Sequence, residues 1–257
     1  MQPKSGIVTP ECFNRGSMKC VFSNVEGLIS LTSDASIDFT PTDFDSPLTA
    51  AQRAYLQKIS GQDIPQVFWR KQIHGDDILV AQKSSVIASE GKQSIIPIGC
   101  PDADAYITNE KNLPIAIRTA DCVPVFIFDP RHRVIGLAHA GWKGTHKSIA
   151  SKTVLQMQAK YGSLPADLKI FLGPSIHECC YQVGQEFRGF FPSNVKERDG
   201  HLYLDVISAN RDQLLQAGVL SANILDSGIC TSCHKNYFSH RRDAAKAGRM
   251  ISLMLLV

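Results

Sequence analysis

Three short blocks each set a reactive side chain where an apolar run meets small residues. They are Gln72-Ile73-His74-Gly75, Thr119-Ala120-Asp121-Cys122-Val123-Pro124 and Ala138-His139-Ala140-Gly141-Trp142-Lys143-Gly144-Thr145. A side chain at a strand end is rigidly mounted, and a glycine beside it lets backbone and ligand approach closely. His74, Cys122 and His139 together offer two imidazoles and a thiolate, a common zinc donor mixture. Three protein ligands leave the fourth position open to water or substrate, which is the pattern of a catalytic site. Their separations are long and match no finger-type spacing, so residue type carries this reading and spacing does not. The same residues suit two other chemistries: a copper centre from one Cys and two His, and a cysteine hydrolase with Cys122 as nucleophile and His139 as base. A multicopper oxidase needs many paired histidines, whereas the eight here include no His-x-His pair.

Those side chains need a sheet to position them. Apolar pieces at Val67–Ile73, Ile78–Ala81, Ala105–Thr108, Leu113–Ile117, Val123–Phe128, Val134–His139 and Leu168–Leu172 read as strands, separated by turn formers such as Gly75-Asp76, Asn109 to Asn112 and Asp129-Pro130. An opening strand region is expected over Met18–Leu31, and a loop over Pro41–Pro47. Helices are expected over Leu48–Ile59 ending at Gly61, Ser148–Tyr161 ending at Gly162, and Val206–Ala217 closed by Gly218. The last segment, Met250–Val257, is long enough for a strand or a short buried helix. No repeat, low-complexity segment or dividing linker interrupts the chain, so residues 1–257 are expected to form one domain.

At 257 residues the chain can bury a sizeable core, and 44% hydrophobic with 20% charged residues is ordinary for a globular protein. A net charge of +3 without basic runs gives no nucleic-acid footprint, which favours a small-molecule partner. The opening residues show no charged-then-apolar leader, and no apolar stretch approaches the ~18 residues of a membrane span, so a cytoplasmic location without membrane contact is expected. Eight scattered cysteines then read as reduced thiols or ligands. Cys230-Thr231-Ser232-Cys233-His234, with His240, could form a second zinc site or an ordinary polar loop; Cys179-Cys180 could be an adjacent disulfide or two thiols.

The three blocks, with Asp102-Ala103-Asp104-Ala105-Tyr106-Ile107-Thr108-Asn109, Gly173-Pro174-Ser175-Ile176, Cys180-Tyr181-Gln182-Val183-Gly184, Cys230-Thr231, Phe238-Ser239-His240-Arg241-Arg242 and Gly248-Arg249-Met250, resemble the YfiH-type family. That family comprises purine nucleoside phosphorylases with accompanying adenosine deaminase and methylthioadenosine phosphorylase activities, long labelled multicopper polyphenol oxidases or laccases. The resemblance covers about residues 67–257, leaving 1–66 as the divergent start of the same domain. There, Val25-Glu26-Gly27-Leu28 stands where the family usually has an arginine followed by paired glycines. Lys143 also stands where arginine is common, and Gln182 where glutamate is. The resemblance implies an α/β (α+β) fold of two mixed sheets packed face to face with helices outside, a four-layer α-β-β-α arrangement. It further implies a single zinc on His74, Cys122 and His139, with copper a lesser alternative, in a monomer or homodimer.

On that reading the partners are a nucleoside and phosphate. Asp121, beside Cys122, is either a proton relay or the acceptor that orients a ligand imidazole. Gln72 and Arg242 are candidates for substrate or phosphate contact, though Arg241 and Arg242 also suit ion pairing. Gly144 and Thr145 precede the helix expected from Ser148, where open backbone donors could cradle an anion beside Lys143 and Lys147. A nucleoside-binding relative without turnover remains a further reading.

Overall fold

Long apolar runs in the middle of the chain become strands buried on both faces. The computed structural model describes residues 25–41, 47–83, 88–89, 92–93 and 101–257. In chain order it has β1 (Leu28–Thr32), α1 (Ala50–Ser60), β2 (Ile78–Val80), a small hairpin of β3 (Ala88–Ser89) and β4 (Lys92–Gln93), β5 (Ala105–Thr108), β6 (Ile115–Thr119), β7 (Val123–Asp129) and β8 (Val134–Ala140). There follow α2 (Trp142–His146), α3 (Ile149–Tyr161), β9 (Lys169–Leu172), β10 (Gln182–Val183), α4 (Phe187–Phe190), β11 (Val195–Arg198), β12 (His201–Leu204), α5 (Val206–Gln216), β13 (Ile224–Asp226), α6 (His240–Asp243) and β14 (Met250–Leu256).

The main sheet has six strands in the order β13-β9-β7-β8-β5-β2. It is mixed: the edge pairs β13/β9 and β5/β2 are parallel and the inner pairs antiparallel. A second sheet runs β1-β14-β6 with antiparallel neighbours, and parallel bridges join Phe68 to Ile115 and Lys111 to Leu256 at its margins. A third, β10-β12-β11, is short and antiparallel.

Side-chain alternation sorts the core into three apolar clusters. Along β7, Val123, Val125 and Ile127 join α3 and α5 residues such as Val154, Met157 and Leu214. Phe126 and Phe128 point the other way and meet Ile115, Ile117 and Met254 of the second sheet. The outer face of that sheet, through Ile251, Leu253 and Leu255, packs on Leu56 and Ile59 of α1. Each fully buried Phe, Leu or Ile contributes about 1.5–3 kcal/mol, so these clusters dominate the folding energy. Gly136 of β8 permits α3 to approach closely, since a Cβ there would lie 2.9 Å from Met157 Sδ.

The helices expected at 48–59, 148–161 and 206–217 form with ends shifted by a residue or two, and the αL glycines Gly61 and Gly162 close the first two. Thr49 and Gln52 make a reciprocal capping box on α1. Met250–Val257 resolves as strand β14. The strand expected over Val67–Ile73 is reduced to the Phe68 bridge, because farther on the Gln72 side chain replaces backbone pairing: its amide donates to Arg118 O at 2.8 Å and accepts from Arg118 N at 2.8 Å. The strand placed at Leu113–Ile117 begins two residues later, after left-handed Asn112 and donorless Pro114. The third sheet was not expected; its strands are short and β11 is largely exposed. Residues 18–24 of the expected opening strand and 42–46 of the expected loop lie outside the described residues.

Candidate metal centre

His74, Cys122 and His139 reach one point from three places. His74 occupies a turn with φ 57°, Cys122 directly precedes β7 after Asp121 at φ 90°, and His139 is the penultimate residue of β8, opposite Pro124. One ligating atom from each lies within 4.8 Å of the others. The imidazole rings sit edge to face with centroids 4.9 Å apart. Tetrahedral zinc with bonds of about 2.0–2.3 Å requires donor separations of about 3.3–3.8 Å, which small side-chain rotations reach from here. Gly141 completes the cradle, because a Cβ there would stand 2.9 Å from Cys122 Sγ and 3.1 Å from His74 Cδ2. The donor set and this clearance fit zinc.

The arrangement depends on Asp104, which the sequence reading quoted only inside a motif. Its buried carboxylate accepts from His139 Nδ1 at 2.7 Å and from the backbone N–H groups of Ile73 (3.1 Å), His74 (3.0 Å) and Gly75 (2.7 Å). Its carbonyl also accepts from His139 N at 2.7 Å. Burial opposes the charge on Asp104, but the His139 contact and the backbone donors hold its pKa below the ordinary value. An ionised acceptor puts the ring proton on Nδ1 and leaves Nε2 of His139 facing the centre. The same carboxylate fixes the left-handed His74 turn, so one residue orients two prospective ligands.

Burial pushes the Cys122 thiol up, yet the His139 and His74 imidazoles outweigh it and bring the pKa to about 6. Burial pushes the His139 imidazole down, but the Cys122 sulfur and Asp104 raise it to about 9. The pair therefore favours a thiolate beside an imidazolium that is itself backed by a carboxylate.

It lies on the wall of a cleft of about 620 Å³, also lined by Gln72, Arg118, Asp121, Trp142, Ile176, Tyr181, His240, Arg241 and Arg249. Asp121 takes neither imidazole. One of its oxygens accepts from Thr231 Oγ1 at 2.6 Å and the other from Arg241 N at 2.6 Å, so it holds two distant segments against the cleft. Gln72 lines the cleft while its amide is engaged with Arg118.

The expected anion cradle at Gly144 and Thr145 is not formed, because a helix starts earlier than anticipated. Both residues are buried inside α2: Thr145 N donates to Gly141 O, its hydroxyl accepts from Asn210 and its carbonyl from Gln213. Lys143 is exposed over the Trp142 ring, and Lys147 pairs with Asp76. Arg242 also departs from its expected place. Its guanidinium binds the carbonyls of Thr231 and Tyr237 at 2.8 Å each and the Asp243 carboxylate, outside the cleft. Its neighbour Arg241 lines the cleft, 5.3 Å from the Tyr181 ring centroid. Arg118 and Arg249 were missed; a signal existed, as both are basic residues at the ends of apolar strands that converge on Cys122.

Among the described residues no helix is long and apolar enough to cross a membrane. Residues 19–257 match the family model described as multi-copper polyphenol oxidoreductase laccase. The chain is 38% identical over 194 residues to the purine nucleoside phosphorylase YlmD of Geobacillus stearothermophilus, covering 72% of this chain and 70% of that one. It is 33% identical over 234 residues to a purine nucleoside phosphorylase of Deinococcus radiodurans, covering 89% and 85%. The crystal structure of YlmD from G. stearothermophilus superposes with a TM-score of 0.79 at 29% identity, covering 95% of this chain and 97% of that one.

Proposed function

The chain belongs to the multi-copper polyphenol oxidoreductase laccase family, and on that premise we propose that it is a zinc-dependent purine nucleoside phosphorylase. Its substrates are adenosine, inosine, guanosine or methylthioadenosine, cleaved by phosphate to the free base and the ribose 1-phosphate (the methylthio sugar phosphate in the last case), with adenosine deamination at the same centre. One observation carries the reading: the Asp104-backed His74, Cys122 and His139 set opens onto a cleft that also presents Arg118, Arg241 and Arg249. A metal donor set and an anion-binding rim thus share a volume suited to a nucleoside.

The trio would hold a zinc ion, which when bound would supply Lewis-acid polarisation. The remaining work falls to the chain. The cleft arginines hold the phosphate, whose oxygen bonds to the sugar C1′ as the bond from C1′ to the base nitrogen breaks and the base departs with the electron pair. Tyr181, Trp142 and Ile176 supply apolar walls for the purine and ribose. Asp121 positions Arg241 through its backbone N–H, and we assign it that role ahead of proton relay. These arginines replace Lys143, Gly144, Thr145 and Arg242 as the phosphate contacts.

A second reading has specific support. Cys122, His139 and Asp104 are arrayed as thiolate, imidazole and orienting carboxylate, the constellation of a cysteine hydrolase. Incubating pure protein with adenosine and inosine, with and without phosphate, separates the two. Phosphate-dependent release of base and ribose 1-phosphate, abolished by a strong chelator and restored by zinc, supports the phosphorylase. Absence of product from either nucleoside, or turnover that survives chelation but not alkylation of Cys122, overturns it.

A further inference from the structure

We propose that Cys179, Cys180, Cys230 and Cys233 bind a second, structural zinc ion as a tetrathiolate. The four cysteines come from two turns far apart in sequence, yet one sulfur from each lies within 4.8 Å of the others. Cys233 Sγ is 3.3 Å from Cys180 Sγ and 3.6 Å from Cys179 Sγ. A tetrahedral site with Zn–S bonds of about 2.3 Å has S···S edges of about 3.8 Å; the two shortest contacts fall a few tenths of an ångström below that and every other pair lies within 4.8 Å, so small side-chain rotations reach the required geometry. A disulfide needs sulfurs at about 2.0 Å and would use only two of the four.

Backbone contacts hold the turns together without any covalent link between sulfurs. Ser175 N donates to Ile229 O and Thr231 N to Ser175 O, which sets the two segments side by side. Cys180 N and Tyr181 N both donate to His177 O, turning the adjacent cysteines inward, and His234 N donates to Cys230 O across the Cys-x-x-Cys turn. Backbone N–H groups of His177 and Cys233 are directed at the Cys230 sulfur, as in thiolate metal knots. Cations surround the knot: Arg242 Nη1 binds Thr231 O within the Cys-x-x-Cys turn, and Arg198 Nη2 donates to Cys179 O. Binding exchanges four S–H protons, released to solvent, for four S–Zn bonds, and the nearby guanidiniums offset the resulting net negative charge. His234 and His240, which the sequence also offered as ligands here, lie outside the cluster; His240 lines the cleft.

The knot has a reason to exist, because the segments it joins build one side of the cleft. Ile176 and Tyr181 of the first line the cleft, as does Arg241 of the second, while the second segment's buried Thr231 and the Arg241 backbone are both held by Asp121. The zinc is a staple for that wall and takes no part in the chemistry.

Metal analysis of protein prepared under reducing conditions tests this. Wild type is expected to hold two zinc ions per chain, Cys122→Ser one, and the Cys230→Ser/Cys233→Ser double variant one. Cobalt substitution should give the thiolate-to-metal charge-transfer bands of a tetrathiolate, retained in C122S and lost in the double variant. If the double variant does not fold, mercurial titration of wild type provides the answer: one zinc should be released as these four thiols react, identified by peptide mapping. A zinc content of one that falls to zero in C122S, or a disulfide joining Cys233 to Cys179 or Cys180 in the protein as prepared, overturns the proposal. The outcome is independent of phosphorylase activity, since C122S removes the first site and leaves this one to be counted alone.

Discussion

Asp104→Asn is the sharpest test of how the centre is built. The native carboxylate accepts four hydrogen bonds, two on each oxygen: Oδ1 from His139 Nδ1 and His74 N, Oδ2 from Ile73 N and Gly75 N. An asparagine keeps one acceptor oxygen and presents an NH₂ at the other position. If the oxygen faces His139, the N–H groups of Ile73 and Gly75 meet donors and the His74 turn is released. If the amide flips, His139 must take its ring proton on Nε2, where it blocks metal. Either way two charge-assisted bonds are lost at about 1.5–3 kcal/mol each, so a cost of at least about 3 kcal/mol is expected. For a chain of this size that lowers Tm by about 6–12 °C, to be measured in chelator so that metal loss is not counted. Zinc affinity, measured by competition with a chromophoric chelator, should fall 10–100-fold by the usual scale for an outer carboxylate. A D104N protein with wild-type zinc affinity and a metal-free Tm within about 2 °C of the parent would refute the claim that this carboxylate organises the site.

Gly141→Ala should abolish zinc binding and also lower the metal-free Tm by several degrees, because the added methyl crowds the Cys122 and His74 side chains whether or not metal is bound. Its φ of −70° suits alanine, but the new Cβ would stand 2.9 Å from Cys122 Sγ; metal content and a melt of the chelated protein check it. Arg241→Ala should raise KM for phosphate with little loss of stability. Arg242→Ala should lower Tm instead, because it strips donors from the carbonyls of Thr231 and Tyr237, and steady-state kinetics beside a thermal melt separates the two. Asp205 caps α5 through Ser208 N, and its pKa lies below the ordinary value because that cap and Lys196 outweigh burial. Its contribution is present above the unfolded pKa of about 3.9 and disappears as pH falls through the lower folded value, so Asp205→Ala should cost about 1 kcal/mol at neutral pH and progressively less below pH ~4 in denaturant titrations.

The parts of this molecule legible in sequence are those set by local rules. Periodicity and glycine stops place α1, α3 and α5, and continuous apolar runs place β5, β7, β8 and β9. The segment at Val67–Ile73 failed because its composition reads as strand while its pairing is done by a side chain, Gln72 against the Arg118 backbone. Hydrophobicity does not distinguish those cases. The cradle at Gly144 and Thr145 failed through a helix boundary: α2 starts at Trp142, which ties Thr145 N to Gly141 O and buries both residues.

Site residues divide along the same line. The three prospective ligands stand out by residue type, but what makes them a set is Asp104, 35 residues from His139 and 30 from His74 in sequence. Asp121 illustrates the converse. Lying next to Cys122, it invites a catalytic role on sequence adjacency, yet its left-handed backbone turns the carboxylate toward Thr231 and Arg241, 110 and 120 residues downstream. Adjacent residues at a strand entry point opposite ways, so a neighbour in sequence is the residue least able to serve the same metal. The four cysteines obey this rule with an instructive exception: Cys179 and Cys180 are adjacent and still converge, because the turn closed on His177 O removes the alternation that an extended strand would impose. That is why the cysteine pairs looked like separate features in the sequence and become one cluster only when both turns are folded.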